Sequence, residues 1–181
     1  MPFVKKFYTS DTHFGHTNIL TMQPRDFRTI EEHDEFLIER WNAVVGEQDI
    51  VYHLGDFAMA LHERADRVRW IFSRLRGRKF LVVGNHDVDK HGNPHATLLS
   101  LPWEAPPTGF RFTDDGGRRV VMSHYAQRSW QHQQKGAVHF YGHSHGHLPG
   151  EGLSRDVGVD MPDVDYTPRT FDELAKNWRL K

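Results

Sequence analysis

The chain has 181 residues, 23 Lys and Arg against 24 Asp and Glu, 14 His and no Cys, with 38% hydrophobic and 12% aromatic residues. That length suits one domain able to bury a core without staples, and the apolar content excludes a disordered chain. Without cysteine there are no disulfides, no thiolate-held zinc or iron–sulfur cluster and no thiol catalysis, which fits a reducing cytoplasm. A net charge of −1 argues against broad, salt-driven binding to nucleic acid or membranes. No apolar run approaches a membrane span, and the opening MPFVKKFYTSD lacks the hydrophobic segment that directs secretion.

In chain order, Phe3–Thr9 is expected as a strand, followed by the polar turn SDTHFGH. Thr29 with Glu32 forms a capping box that opens a helix to about Val45, with Ile30, Leu37, Trp41, Val44 and Val45 inward and Gly46 as its stop. Ile50–Leu54 reads as a short buried strand, Leu61–Leu75 as a helix burying Val68, Ile71, Phe72 and Leu75, and Lys79–Val83 as a further strand. Gly109–Thr113 and Arg118–Ser123 flank Asp114-Asp115-Gly116-Gly117, which is hairpin chemistry. Ala137–Tyr141 and Asp156–Met161 are expected as strands, and Thr170 with Glu173 caps a last helix carrying Phe171, Leu174 and Trp178. Strands alternating with helices, then strands in succession, predict a layered α/β domain spanning residues 1–181.

Fourteen histidines against five tyrosines is the composition of a metal or acid–base site. Strand after strand ends in a donor: Asp11, His13, Asp56, Asn85, His124, His143 and His145. In open α/β sheets, ligand sites assemble at the carboxyl ends of strands. Imidazole, carboxylate and amide oxygen together suit Mn²⁺, Fe²⁺ or Zn²⁺ better than Ca²⁺ or Mg²⁺. These donors exceed what one tetrahedral ion needs, so two ions sharing a carboxylate is the economical reading. Such a pair lowers the pKa of a bridging water and clamps an anionic centre, which favours a phosphate ester.

The ordered set Asp11-x-His13, Gly55-Asp56, Gly84-Asn85-His86-Asp87, His124 and Gly142-His143-Ser144-His145 resembles the calcineurin-like metallophosphoesterase superfamily across residues 11–145. The resemblance implies two stacked mixed β-sheets flanked by helices, with the metals at one end. It implies a first ion on Asp11, His13, Asp56 and His145, and a second on Asp56, Asn85, His124 and His143, Mn²⁺ foremost with Fe, Zn, Ni or Co as other fits. His86 is implied to stabilise or protonate the leaving oxygen, and Asp87 to orient the His86 imidazole. Phosphoprotein phosphatases extend the second block with a second Asp and an Arg that grips phosphate; here it reads Gly55-Asp56-Phe57-Ala58-Met59-Ala60. That departure leaves room for a diester. The opening SDTHFGHTNIL and the late RDVGVD are most similar to compact bacterial and phage phosphoesterases.

The expectation is therefore a phosphodiesterase acting through a metal-bridging hydroxide on a nucleotide or other small diester, with no membrane and no stable nucleic-acid partner. A phosphomonoesterase or nucleotide pyrophosphatase is the alternative, then a nuclease or a non-catalytic scaffold; oligomeric state is left open. His53 reads as a packed, satisfied histidine. His33, His62, His132 and His139 read as surface or partly packed, and His91 and His95 as solvated. His16 and His147 lie close enough to the ligand motifs to touch substrate or support the ligands. The basic stretch Arg64, Arg67, Arg69, Arg74, Arg76 and Arg78 reads as a solvated helix face, and Trp103, Phe110, Phe112 and Trp130 as core packing or a loop staple.

Overall fold

A computed structural model describes residues 3–178. The elements in order are β1 (Lys6–Thr9), α1 (Ile19–Met22), α2 (Ile30–Val44), β2 (Ile50–His53), α3 (Ala65–Arg74), β3 (Arg78–Leu81), α4 (Ala96–Leu99), β4 (Phe110–Asp115), β5 (Arg118–Ser123), β6 (Val138–Tyr141), β7 (Ser154–Asp156), β8 (Arg169–Thr170) and α5 (Phe171–Ala175). Two four-stranded mixed sheets form among these residues, in the orders β3-β2-β1-β8 and β4-β5-β6-β7. Strands β1, β2 and β3 are mutually parallel, as are β5, β6 and β7, while β8 and β4 run antiparallel at the edges.

Strand alternation sorts the core into layers, because successive side chains point to opposite faces. Phe7, Val51 and Leu81 pack with Leu37, Trp41, Val68, Ile71 and Phe72, so α2 and α3 cover the outer face of the first sheet. Their neighbours Tyr8, Tyr52 and Val82 turn inward to meet Val120, Met122, Val138 and Phe140 of the second sheet. Tyr8 stacks on Tyr52 with ring centroids 5.6 Å apart and meets Phe140 edge-on at 4.9 Å. Phe171, Leu174 and Trp178 close this inter-sheet layer at one end. On the outer face of the second sheet, Val121 packs against Trp130 and Ala137 of the segment that leads into β6.

The expected elements are present with shifted ends. The Thr29 hydroxyl accepts from the Glu32 N–H at 3.1 Å, but the Glu32 carboxylate accepts from the N–H of Arg28, one residue before the expected partner. Val44, expected inward, is exposed on the last turn of α2, where the chain already leaves the apolar stripe. Strand β7 lies at Ser154–Asp156 instead of Asp156–Met161, because Asp156 turns its carboxylate onto the N–H groups of Gly146 and Gly158 and ends the pairing. The hairpin turn is Gly116-Gly117, both with positive φ, as a two-residue primed turn requires. The second capping box, Thr170 with Glu173, is fully formed.

Phe140 is wholly buried between the sheets, whereas Phe112 is half-exposed on edge strand β4. Phe140→Ala is expected to lower stability by ~3–5 kcal/mol, and Phe112→Ala by about 0.5 kcal/mol or less, as read by urea unfolding.

Candidate metal centre

The parallel strands of both sheets end on the same side of the molecule, and the segments that follow them are joined across the sheets. Ser10, after β1, bridges Gly158, after β7, and the Val159 N–H donates to the Ser10 carbonyl at 3.1 Å. His124, after β5, is buried with its Nδ1 2.8 Å from the carbonyl of Leu54, after β2. That contact fixes Nδ1–H as the donor and leaves Nε2 facing Asn85 Oδ1 at 3.0 Å and Asp56 Oδ2 at 3.4 Å.

Three groups of donor atoms lie close enough to hold an ion: Asp11 with His13 and His145, His13 with Asp56 and His86, and Asp56 with His124 and His143. All seven sequence-expected ligand residues thus converge, Asn85 included through His124. The backbone is bent to bring this about. Asp11, His13, Asp56, His143 and His145 all have positive φ, between 48° and 66°. Side chains rarely adopt that conformation, at a cost of roughly 1 kcal/mol or more each, and its clustering here marks a functional site.

The glycines that open the motifs have a steric reason. A Cβ on Gly84 would strike the Asp56 carboxylate and backbone, and one on Gly142 would strike Ser10 and the Asp11 carboxylate. Bare backbone is needed where a neighbouring strand-end carboxylate passes so close.

Electrostatics favour a metal over the bare cluster. Burial pushes Asp11 up to about 7 and His13 down to about 2. At His124 burial opposes the charge, yet hydrogen bonding and attraction to Asp56 hold it up at about 9. Asp56 is also penalised by burial, but His124 and His13 hold it well below the usual carboxylate range. The buried His13 Nε2 has no hydrogen-bond partner and sits 3.7 Å from Asp56 Oδ2. An unpartnered imidazole nitrogen beside a carboxylate, among N and O donors, fits a divalent cation.

Asp87 differs from what the resemblance implies. Its buried carboxylate accepts from the N–H groups of Gly84 at 2.8 Å, Asp56 at 2.8 Å and Phe57 at 3.0 Å. It therefore ties the loop bearing Asn85 and His86 to the loop bearing Asp56, and its oxygens are directed to backbone, not to the His86 ring. His86 Nε2 lies 4.0 Å from Asp56 Oδ2, and its side chain is 37% exposed at the mouth of the site.

Residues that sequence reasoning passed over support the candidate ligands. His145 Nδ1 lies 2.6 Å from Asp160 Oδ2, and Arg25 grips both Asp160 oxygens at 2.7 Å. The same guanidinium donates to the carbonyls of Asp11 at 2.7 Å and Thr12 at 3.1 Å, and contacts His33 Nε2 at 3.0 Å. His33, expected at the surface or partly packed, is wholly buried, where it bridges Arg25 to Asp34. His139 is likewise buried, held between the Val121 carbonyl and the Gln127 N–H. Asp156 and Asp160 fall within the RDVGVD segment, which was a legible signal; Arg25, in a polar loop, gave none.

Of the remaining histidines, His53 is buried with Nε2 2.9 Å from the Thr12 hydroxyl, while its Nδ1 has no partner. His95, expected solvated, accepts from the Thr97 N–H and caps α4. His16 lies beside the site, its Nδ1 3.4 Å from that of His13, whereas His147 is exposed. A separate depression of about 690 Å³ opens at the amino end of β1, lined by Lys6, Phe7 and Thr170 among others, and contains none of these donors.

Asp160→Asn removes the counter-charge of a buried guanidinium and the anchor of His145. It is expected to weaken metal binding about 10- to 100-fold, read by competition against a fluorescent chelator, while the protein stays folded by circular dichroism.

Comparison with known proteins bears on the same residues. The family model of the calcineurin-like phosphoesterase superfamily domain matches residues 6–153. An uncharacterized protein of Methanocaldococcus jannaschii is 29% identical over 181 residues, covering 97% of this chain and 92% of that protein. The gene 66 protein of Mycobacterium phage D29 is 30% identical over 161 residues, covering 78% of this chain and 79% of its own. The crystal structure of a protein of unknown function from Aquifex aeolicus superposes with a TM-score of 0.72 at 25% identity, covering 96% of this chain and 99% of that one. With the family match running from β1 through the Gly142-His143-Ser144-His145 block, the chain belongs to the calcineurin-like phosphoesterase superfamily.

Proposed function

We propose that this protein is a cytoplasmic, binuclear metal-dependent phosphodiesterase acting on a nucleotide or another small diester. The observation that carries the reading is one buried carboxylate, Asp56, set between two donor clusters: Asp11, His13 and His145 on one side, His124 and His143 on the other. In this reading Asp11, His13, Asp56 and His145 hold one ion, and Asp56, Asn85, His124 and His143 the other. The mixed donor set fits Mn²⁺ foremost, with Fe, Zn, Ni or Co also accommodated. Two divalent ions there supply an activated water nucleophile and neutralise charge on the phosphoryl oxygens.

The chain's own groups do the rest. His124 and His145 each use Nδ1 on an acceptor, Leu54 carbonyl and Asp160 carboxylate, and so present Nε2 inward in a fixed orientation. His86 has its N–H anchored on Asp56 Oδ1 at 2.9 Å while its imidazole reaches the open mouth, placed to protonate the departing oxygen. Asp87 positions that loop through the backbone. Hydrolysis adds one water across a P–O bond: its oxygen bonds to phosphorus, the bond to the leaving arm breaks, and one proton ends on the leaving oxygen. A diester is favoured over a monoester because the Arg25 guanidinium is not free to take extra phosphate charge. Arg25, which reaches the Asp11 and Thr12 backbone, is buried and committed to Asp160. No described helix is long and apolar enough to cross a membrane.

With Mn²⁺ restored after chelation, the protein is expected to hydrolyse bis-p-nitrophenyl phosphate faster than p-nitrophenyl phosphate. Faster monoester turnover would make it a phosphatase. Asp56→Ala takes a ligand from both sites and is expected to abolish turnover and lower metal content measured by plasma mass spectrometry. His86→Ala should keep its metal yet lose turnover by about 10²- to 10⁴-fold; wild-type turnover in that variant removes His86 from the mechanism.

Metal binding should also depend on pH. Asp11, raised to about 7, and His124, raised to about 9, must both be deprotonated to ligate. Protons therefore compete with metal at low pH, and affinity is expected to rise by about tenfold per unit between pH 7 and 9, where one proton is displaced, and more steeply below 7, where two are. Calorimetry in buffers of different ionisation heat measures that release directly, and a pH-independent affinity would contradict it.

A further inference from the structure

Two clefts meet at the loop that carries Asn85 and His86, and they differ in chemistry. One, of about 400 Å³, sets the titratable His62, Glu63, His86 and His95 beside the apolar Met59 and Leu61. The other, of about 370 Å³, is walled by Val83, Val88, Pro94 and Tyr125, with Asn85 at its inner end. Both lie within the size range of small-molecule sites, roughly 300–1,000 Å³. We infer that the apolar cleft holds a planar aromatic group on the ester arm that stays bound to phosphorus, with the ring of Tyr125 as its stacking surface. The inference rests on the phosphodiester reading above.

Tyr125 is 52% exposed, and its ring neighbours His124 and His143 are both proposed ligands. One side of its ring is fixed against His143 at 4.5 Å and His124 at 5.1 Å between centroids, and its hydroxyl is 3.4 Å from Asn85 Oδ1. The opposite wall is rigid. Val88 bridges Pro94, and the Asp89 carboxylate accepts from the N–H groups of His91 at 2.8 Å and Asn93 at 3.0 Å. The floor is anchored by the Val83 N–H on the Thr108 carbonyl at 2.9 Å. A slot between an aromatic ring braced on one side and aliphatic side chains suits a flat apolar group, which stacks without needing matched hydrogen bonds.

The assignment of arms follows from His86. It lines the polar cleft and not the apolar one, so an oxygen protonated by His86 departs on the polar side. The arm lying toward Tyr125 then remains on phosphorus, and the product is its monoester. A Cβ added at Gly109, on the rim of the apolar cleft, would meet no atom within 4 Å, and its backbone is not left-handed. Gly109→Leu therefore adds bulk to the lining of that cleft with its Cβ in open space.

The test is calorimetric binding of phenylphosphonate against methylphosphonate to the Mn²⁺-loaded protein, run beside hydrolysis of phenyl and methyl p-nitrophenyl phosphate. Wild type is expected to favour the phenyl probe about tenfold or more in both assays. Gly109→Leu and Tyr125→Ala should each erase most of that preference, with metal content unaltered in Gly109→Leu. Equal binding of the two phosphonates, or a preference that survives both variants, overturns the cleft assignment even if diesters are hydrolysed. Absence of diester hydrolysis in wild type sinks the phosphodiesterase reading instead, and phosphonate binding still decides the cleft.

Discussion

Asp56 is the point on which the site depends. Its Oδ1 holds the His86 N–H, while its Oδ2 lies between 3.4 and 4.0 Å from ring nitrogens of His124, His13 and His86. Its carbonyl accepts the His13 N–H at 3.0 Å and its own N–H is taken by Asp87. One residue thus connects the segments leaving β1, β2, β3 and β5. A buried carboxylate survives only where partners offset its desolvation, and here three imidazoles and a backbone N–H do so. The arrangement is poised: anions and imidazoles share a buried space that a divalent cation satisfies better than protons do.

Backbone geometry explains why so few positions can take part. Each strand ends pointing past the sheet, and the chain must reverse within a residue or two for a side chain to face the other sheet. Left-handed conformations at Asp11, His13, Asp56, His143 and His145 make that reversal, and bare backbone at Gly84 and Gly142 leaves room for the carboxylates alongside. Strain of this kind persists where surrounding hydrogen bonds over-determine it. Asp87, accepting three backbone N–H groups, and Arg25, donating to the carbonyls of Asp11 and Thr12, are those bonds. Much of the buried polarity therefore serves to hold the ligands' backbone and not to react.

These two kinds of residue were unequally legible in the sequence. The ligands sit in short blocks after apolar runs, so periodicity and residue type expose them, and Thr170 with Glu173 or Gly116-Gly117 announce a cap and a turn by local chemistry alone. Strand ends were less legible, because pairing decides them: β7 stops at Asp156 only because that carboxylate finds Gly146 and Gly158 N–H groups. Arg25, His33 and His139 were misjudged or missed since polar residues are ordinarily exposed. Their burial follows from partners distant in sequence, Asp160 for Arg25 being 135 residues away. Asp87 shows the same limit from the other side, for its position in the block was plain but the direction of its carboxylate depends on three N–H groups brought together by folding. Phe110 and Phe112, read as core packing or a loop staple, are exposed because β4 is an edge strand, where Phe112 is met by the guanidinium of Arg119.

Charge placement supports a small substrate over a long polyanion. Along and after α3, Arg67, Arg69, Arg74, Arg76 and Arg78 each lie within 4.0 Å of a carboxylate, from Asp34, Glu35, Asp66, Glu47 or Glu104. Such exposed pairs add little stability, but they cancel the field that a basic groove would need to track a phosphate backbone. The helix instead presents Trp70 under the guanidinium groups of Arg67 and Arg74, a neutral and closed surface. In the proposed reading, metal held where two short clefts meet would suit one phosphoryl group carrying compact substituents.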